Sequence, residues 1–90
     1  MEKTEVKTKL TKFERAFVEA IHQQFWIARD QDGELYLYFY KPEKHRKYCY
    51  WISPDDNDGA ELKEDMFPFI TWESEKAWSR DDLLALEVDE

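Results

Sequence analysis

Side chains with chemical potential fall into three groups in this chain. The first is acidic. Asp56, Asp58, Gly59 and Asp65 are spaced like inner positions of a calcium-binding loop. The loop's first ligand would fall on Pro54, which has no carboxylate, and no helical pattern flanks it, so a solvated acidic turn is the expectation. The second group is His22, His45 and Cys49. Neither histidine has a Cys or a second His at ligand spacing, so no metal site and no cofactor is expected. Cys49, the only cysteine, sits in an aromatic run and reads as a packed thiol rather than a nucleophile. Catalytic signatures are also missing: the chain has no G-x-S-x-G elbow, no phosphate-binding glycine loop and only two glycines. No catalytic residues are expected, and the chain is not read as an enzyme.

The third group is aromatic. Tyr36, Tyr38, Tyr40, Tyr48 and Tyr50 alternate along two stretches, with Arg29 upstream. Tyrosine rings of this kind could stack bases or form a protein-binding patch. Nearby Lys41, Lys44, Arg46 and Lys47 would suit phosphates, but the net charge of −8 repels a polyanion, and direct nucleic-acid binding is not expected. The charge is divided unevenly. Residues 1–52 hold ten Lys/Arg and eight Asp/Glu, whereas residues 53–90 hold three and thirteen. An acidic patch of Asp55, Asp56, Asp58, Glu61 and Asp65 could therefore imitate a phosphate backbone, or simply keep an aromatic-rich chain in solution.

The elements that must position these residues follow from periodicity. Ninety residues make one small domain that buries only about 60% of its unfolded surface. Six Phe, five Tyr and four Trp compensate with bulk. Residues 1–9 are polar and expected to fray, with a short extended strand through Val6, Thr8 and Leu10 as the alternative. Thr11 and Glu14 form a capping box for a helix reaching about Gln24, with Phe13, Phe17, Ala20, Ile21 and Gln24 on its apolar stripe. "FWIARD" and "ELYLYFY" flank Asp32-Gly33 and predict a hairpin. A two-residue loop pairs Arg29 with Tyr36, Ala28 with Leu37 and Trp26 with Phe39, and a four-residue loop slides the pairing by two while leaving each residue on the same face. "YCYWIS" is expected as a third strand beside the second, after a basic loop at 41–47. "AELKEDMF" is ambiguous, a helical turn being one reading of it, and "PFITWE" reads as a fourth strand. Ser79 and Asp82 then cap a final short helix carrying Leu83, Leu84 and Leu86.

This register sorts the sheet into two faces. Trp26, Ala28, Leu35, Leu37, Phe39, Cys49 and Trp51 make the core face, covered by the first helix. Phe25, Ile27, Arg29, Ile52 and the five tyrosines make the other, whose exposure the sequence leaves open. The expected architecture is α+β: a single domain over residues 10–87, with a mostly antiparallel sheet of about four strands. An N-terminal amphipathic helix and a short C-terminal helix complete it.

Three segments carry a resemblance. "LTKFERAFVEAI", "WIARDQDGELYLYFYKPEK" and "FPFITWESEKAWSRDDLL" are similar to a family of small uncharacterised proteins from phages and prophages of Gram-positive bacteria. The likeness spans residues 10–86 and carries over no functional residues. It implies a protein that binds host or phage machinery in the bacterial host cytoplasm. A single cysteine and the lack of any long apolar run agree with that setting. The expected function is non-catalytic binding of a protein partner through the tyrosine face, which could equally pair two copies of the chain. The alternative is an acidic nucleic-acid mimic that inhibits a host nucleic-acid-binding or defence protein. No membrane association is expected.

Overall fold

The computed structural model describes residues 8–89. Its elements run β1 (Lys9–Leu10), α1 (Lys12–Ala20), β2 (Trp26–Arg29), β3 (Leu35–Tyr38), β4 (Glu43–His45), β5 (Tyr50–Ile52), β6 (Ala60–Leu62), β7 (Trp78–Ser79), α2 (Arg80–Leu84) and β8 (Glu87–Val88). The fold is α+β, built on a four-stranded antiparallel sheet in the order β6-β3-β2-β7. A separate β4–β5 ribbon and a parallel β1–β8 pair flank it. Of the terminal segment expected to fray or to form a short strand, residues 1–7 lie outside the described residues, and Lys9–Leu10 form β1 opposite Glu87 and Val88, so Leu10 is extended as the strand alternative had it.

Both capping boxes form. The Thr11 hydroxyl accepts from Glu14 N at 3.0 Å, and Glu14 Oε1 accepts from Thr11 N at 2.9 Å. Ser79 and Asp82 exchange the same two bonds, each at 3.1 Å. The first helix is shorter than expected. It ends at Ala20, where Ile21 turns extended and its carbonyl accepts from Arg80 Nε at 2.8 Å. Its buried stripe is also rotated. Glu14 and Val18 face inward with Phe17 and Ile21, while Phe13 is 68% exposed. The cause is Glu14, whose Oε2 accepts from the buried amide of Phe67 at 2.6 Å. Turning that side chain inward swings the preceding position about 100° away.

The β2–β3 hairpin forms with a different register. Ile27 pairs with Leu37, Ala28 with Tyr36 and Arg29 with Leu35. Asp30 N donates to Glu34 O, and Gly33 N to Asp30 O, so the loop has three residues rather than two or four. Gly33 takes φ +99°, the left-handed position such a loop requires. An odd loop reverses the facing of β2 relative to β3, because strand side chains alternate. Phe25, Ile27 and Arg29 therefore join Leu35 and Leu37 on the helix-covered face. Trp26 and Ala28 join Tyr36 and Tyr38 on the other.

Two expected strands are replaced. "YCYWIS" does not pair with β3: Tyr50–Ile52 pairs with Glu43–His45, Lys44 lying opposite Trp51. Strand β3 stops at Tyr38 because the next two amides, of Phe39 and Tyr40, donate to the Asp58 carboxylate at 2.8–3.0 Å. Cys49 sits in the turn before β5 at φ +62°, half-buried, rather than inside a strand. The free edge of β3 is filled by Ala60–Leu62, expected as a helical turn. "PFITWE" is a chain of turns, with Ile70 N donating to Phe67 O and Ser74 N to Thr71 O. The strand that pairs with β2 comes later, at Trp78–Ser79.

Arg29 explains why 64–70 does not extend. Its Nε donates to Ile70 O at 2.6 Å, Nη1 to Gly33 O and Glu64 O, and Nη2 to Met66 O and Phe67 O. All five guanidinium donors are thus spent on backbone carbonyls, curling the segment around one side chain. The helix-covered core encloses Leu10, Val18, Phe25, Ile27, Leu35, Leu37, Phe67, Ile70 and Leu83.

Candidate functional site

On the opposite face, Ala28, Tyr38, Trp51 and Ala77 form a smaller cluster, with Trp26, Tyr36 and Trp72 packed against it. Trp51 docks the β4–β5 ribbon there. Its backbone N donates to Asp30 Oδ1 at 3.0 Å and its indole Nε1 to Arg29 O at 3.1 Å. Lys44, its cross-strand partner, donates to Trp72 O at 2.5 Å and Ser74 O at 2.7 Å. The same ammonium lies 4.4 Å from the Trp72 ring centre and 5.4 Å from that of Trp51.

Docking the ribbon beside β3 leaves an open cleft of about 660 Å³. Tyr36 and Tyr38 line it from the sheet, and Tyr48, Tyr50 and Ile52 from the ribbon. The ribbon rings are stacked in advance: Tyr48 and Tyr50 lie 6.1 Å apart at 15°, with His45 against both at 4.7 and 5.8 Å. The cleft follows β3 from the 30–34 turn to the 53–59 loop. Asp30, Asp32 and Glu34 come from the turn, and Asp55, Asp56 and Asp58 from the loop. No Lys, Arg or His is among its described lining residues.

The carboxylates differ in how far they are committed. Asp58 organises its loop, accepting from the amides of Phe39, Tyr40 and Gly59 and from the Ser53 hydroxyl. Burial opposes its ionisation, but these donors together hold its carboxyl below the ordinary value. Asp30 is shifted upward, chiefly by burial and further by Asp32 and Glu34, despite the Trp51 amide. Asp55 and Asp56 are exposed. Asp30, Asp32 and Glu34 can bring one oxygen each within 4.8 Å of one another, the one such group among the described residues. All three already accept bonds, from Trp51 N, Glu34 N and the Tyr36 hydroxyl. Asp56, Asp58 and Asp65, at calcium-loop spacing, are not gathered into a site of that kind.

Tyr36 and Tyr38 are held neutral. The hydrogen bond to Glu34, with burial and nearby acids, pushes Tyr36 up to about 12. Burial, then Asp30, raises Tyr38 as well. Tyr38 is 6% exposed, and among the described residues its hydroxyl has no hydrogen-bond partner. Gly59, at φ +106°, lies so near that a Cβ there would stand 3.2 Å from the Tyr38 ring. The site can thus offer flat electron-rich rings, phenolic hydroxyls and carboxylates. That set suits cations and hydrogen-bond donors and repels phosphates.

Of the expected tyrosine face, Tyr36, Tyr38, Tyr48 and Tyr50 meet in the cleft. Tyr40 lies beside it, 53% exposed, lining a shallower depression with Asp55 and Asp58. Arg29 does not belong to this face; the odd hairpin loop places it on the other, with its donors consumed. The acidic patch divides. Asp55, Asp56 and Asp58 line the cleft, Glu61 stands cross-strand from Tyr36, and Asp65 sits in the separate 61–65 surface. Sequence reading missed Asp30, Asp32 and Glu34 as site residues. The available signal was acids at every second position directly before a tyrosine strand.

No protein-family model matches the chain, and no curated protein or solved structure does either. No helix among the described residues is long and apolar enough to cross a membrane.

Proposed function

We propose that this chain is a non-catalytic binding protein that engages a host or phage protein through the tyrosine-lined cleft. The observation carrying this reading is that tyrosines from two hairpins and acids from two loops line one cavity. Exposed Tyr48 and Tyr50, 56% and 41% accessible, are the kind of anchor that protein interfaces favour. The resemblance of residues 10–86 to small phage and prophage proteins supports the biological setting. The acidic decoy is the weaker alternative, because its five acids divide between two depressions: Asp55, Asp56 and Asp58 line the cleft, whereas Glu61 and Asp65 line another.

Capture from a Gram-positive host lysate, with quantitative mass spectrometry, tests the reading. A partner retained by wild type should also be retained by Phe13→Ala, which alters an exposed ring on α1. It should be lost at least tenfold by Tyr48→Ala/Tyr50→Ala. Retention by that double variant, with loss on neutralising Asp55 and Asp56, would favour the decoy instead.

A further inference from the structure

The cleft's lining narrows what can enter it. Six carboxylates and no basic group line it among the described residues, so a neutral or anionic segment would leave their charges uncompensated. Tyr38 is the independent sign of an occupant: its ring is nine-tenths buried, while its hydroxyl, with no protein partner among the described residues, keeps its solvent access where the residue lines the cleft. The ribbon wall is pre-ordered, since Tyr48 and Tyr50 already stack on His45, so little ring freedom is lost on binding. The molecule contains an internal instance of the same chemistry. Lys44 is held on its other side by two carbonyl oxygens and the faces of Trp72 and Trp51.

We propose that the cleft binds a lysine or arginine side chain within a basic segment of the protein partner. The inference rests on the binding role of this cleft and specifies its ligand. The cation enters between the Tyr36/Tyr38 and Tyr48/Tyr50 walls, where aromatic rings attract it; the Tyr48 ring already has the Lys47 ammonium 5.4 Å from its centre, so Tyr36, Tyr38 and Tyr50 supply most of that attraction. Asp32, Asp55 and Asp56, exposed at the rim, neutralise its charge, and the net charge of −8 steers basic segments inward.

The test is amide chemical-shift mapping with an octalysine peptide, its fully acetylated counterpart and calcium chloride at matched ionic strength. Octalysine should shift amides at 30–38 and 48–59 and leave those of α1 in place. Tyr48→Ala/Tyr50→Ala and Asp32→Asn/Asp56→Asn should each weaken it roughly tenfold or more, and the acetylated peptide should produce no shifts. Equal shifts from the acetylated peptide would overturn the cation preference while leaving the cleft as a peptide site. Octalysine shifts confined to the 61–65 surface, or undiminished binding by the tyrosine variant, would reduce the effect to diffuse charge attraction and overturn the proposal. Calcium shifts at 30–34 that abolish octalysine binding in the absence of any tyrosine dependence would reassign those acids to a metal.

Discussion

The two faces of the central sheet use polar groups in opposite ways. On the helix-covered face, each polar side chain that enters is consumed. Glu14, 4% exposed, bonds the amides of Thr11 and Phe67, and Arg29 spends five donors on five carbonyls. Around them lie aliphatic and Phe side chains with almost no exposure. On the cleft face, polar groups are gathered and only part of them is consumed: Asp30, Asp32, Glu34 and Asp58 accept bonds, and the rest stay available. The Tyr38 hydroxyl has no protein partner among the described residues and keeps solvent access, Tyr48 and Tyr50 remain open, and Asp55 and Asp56 are exposed. Satisfied buried polar groups secure a fold, because leaving them unpaired is costly. Solvent-facing ones beside a cavity contribute little to stability and retain their capacity for a ligand. The difference separates the part that holds the molecule together from the part that can recognise something.

Substitutions break this comparison most directly, and the largest effect belongs to Arg29. Arg29→Met keeps much of the stem but leaves five carbonyls without their donor, and should destabilise by about 4 kcal/mol in urea unfolding. A loss below about 1 kcal/mol would show that the 64–70 turns hold themselves. Glu14→Ala comes next. It removes a cap and orphans the buried Phe67 amide, whose residue sits at φ +48°, for an expected cost of about 2 kcal/mol.

Asp58 lies between the two regimes, since its carboxylate both lines the cleft and ties Phe39, Tyr40, Gly59 and Ser53 together. Asp58→Ala should cost about 1–2 kcal/mol. Because its folded carboxyl is held below the unfolded value of 3.8, its contribution is present above that value. It is lost as pH falls through the lowered folded value. Acid titration of stability should therefore show a smaller decline below pH 3.8 in Asp58→Ala than in wild type; an unchanged acid limb would remove Asp58 from its structural role. The smallest effect is expected at the ribbon. Tyr48→Ala and Tyr50→Ala should each change stability by less than about 1 kcal/mol by the same assay, and larger losses would make these rings core rather than recognition surface.

Much of this division was legible before the structure, but not its geometry. Both capping boxes, the Asp32-Gly33 turn and the Leu35/Leu37 versus Tyr36/Tyr38 alternation are local signals, and each holds. The pairing of faces failed on one residue of loop length. Two-residue and three-residue hairpins share the same Asp-Gly signature, yet only the odd loop puts Ile27 and Arg29 beneath the helix. Strand identity failed for a long-range reason: β3's continuation is intercepted by Asp58, and "PFITWE" is curled by Arg29 from 41 residues away. No periodicity within either segment carries that information. The cleft was half visible. Its tyrosines stood out by alternation, whereas Asp30, Asp32 and Glu34 looked like turn residues, because turn chemistry and ligand chemistry use the same side chains.

Amide hydrogen exchange, with and without a partner captured by the wild-type protein, tests the separation of the two faces most directly. The account predicts new protection in residues 30–38 and 48–59, with the exchange of α1 around Phe13 unchanged. Protection centred on α1, with the tyrosine strands exchanging as before, would place recognition on the helical side and contradict it.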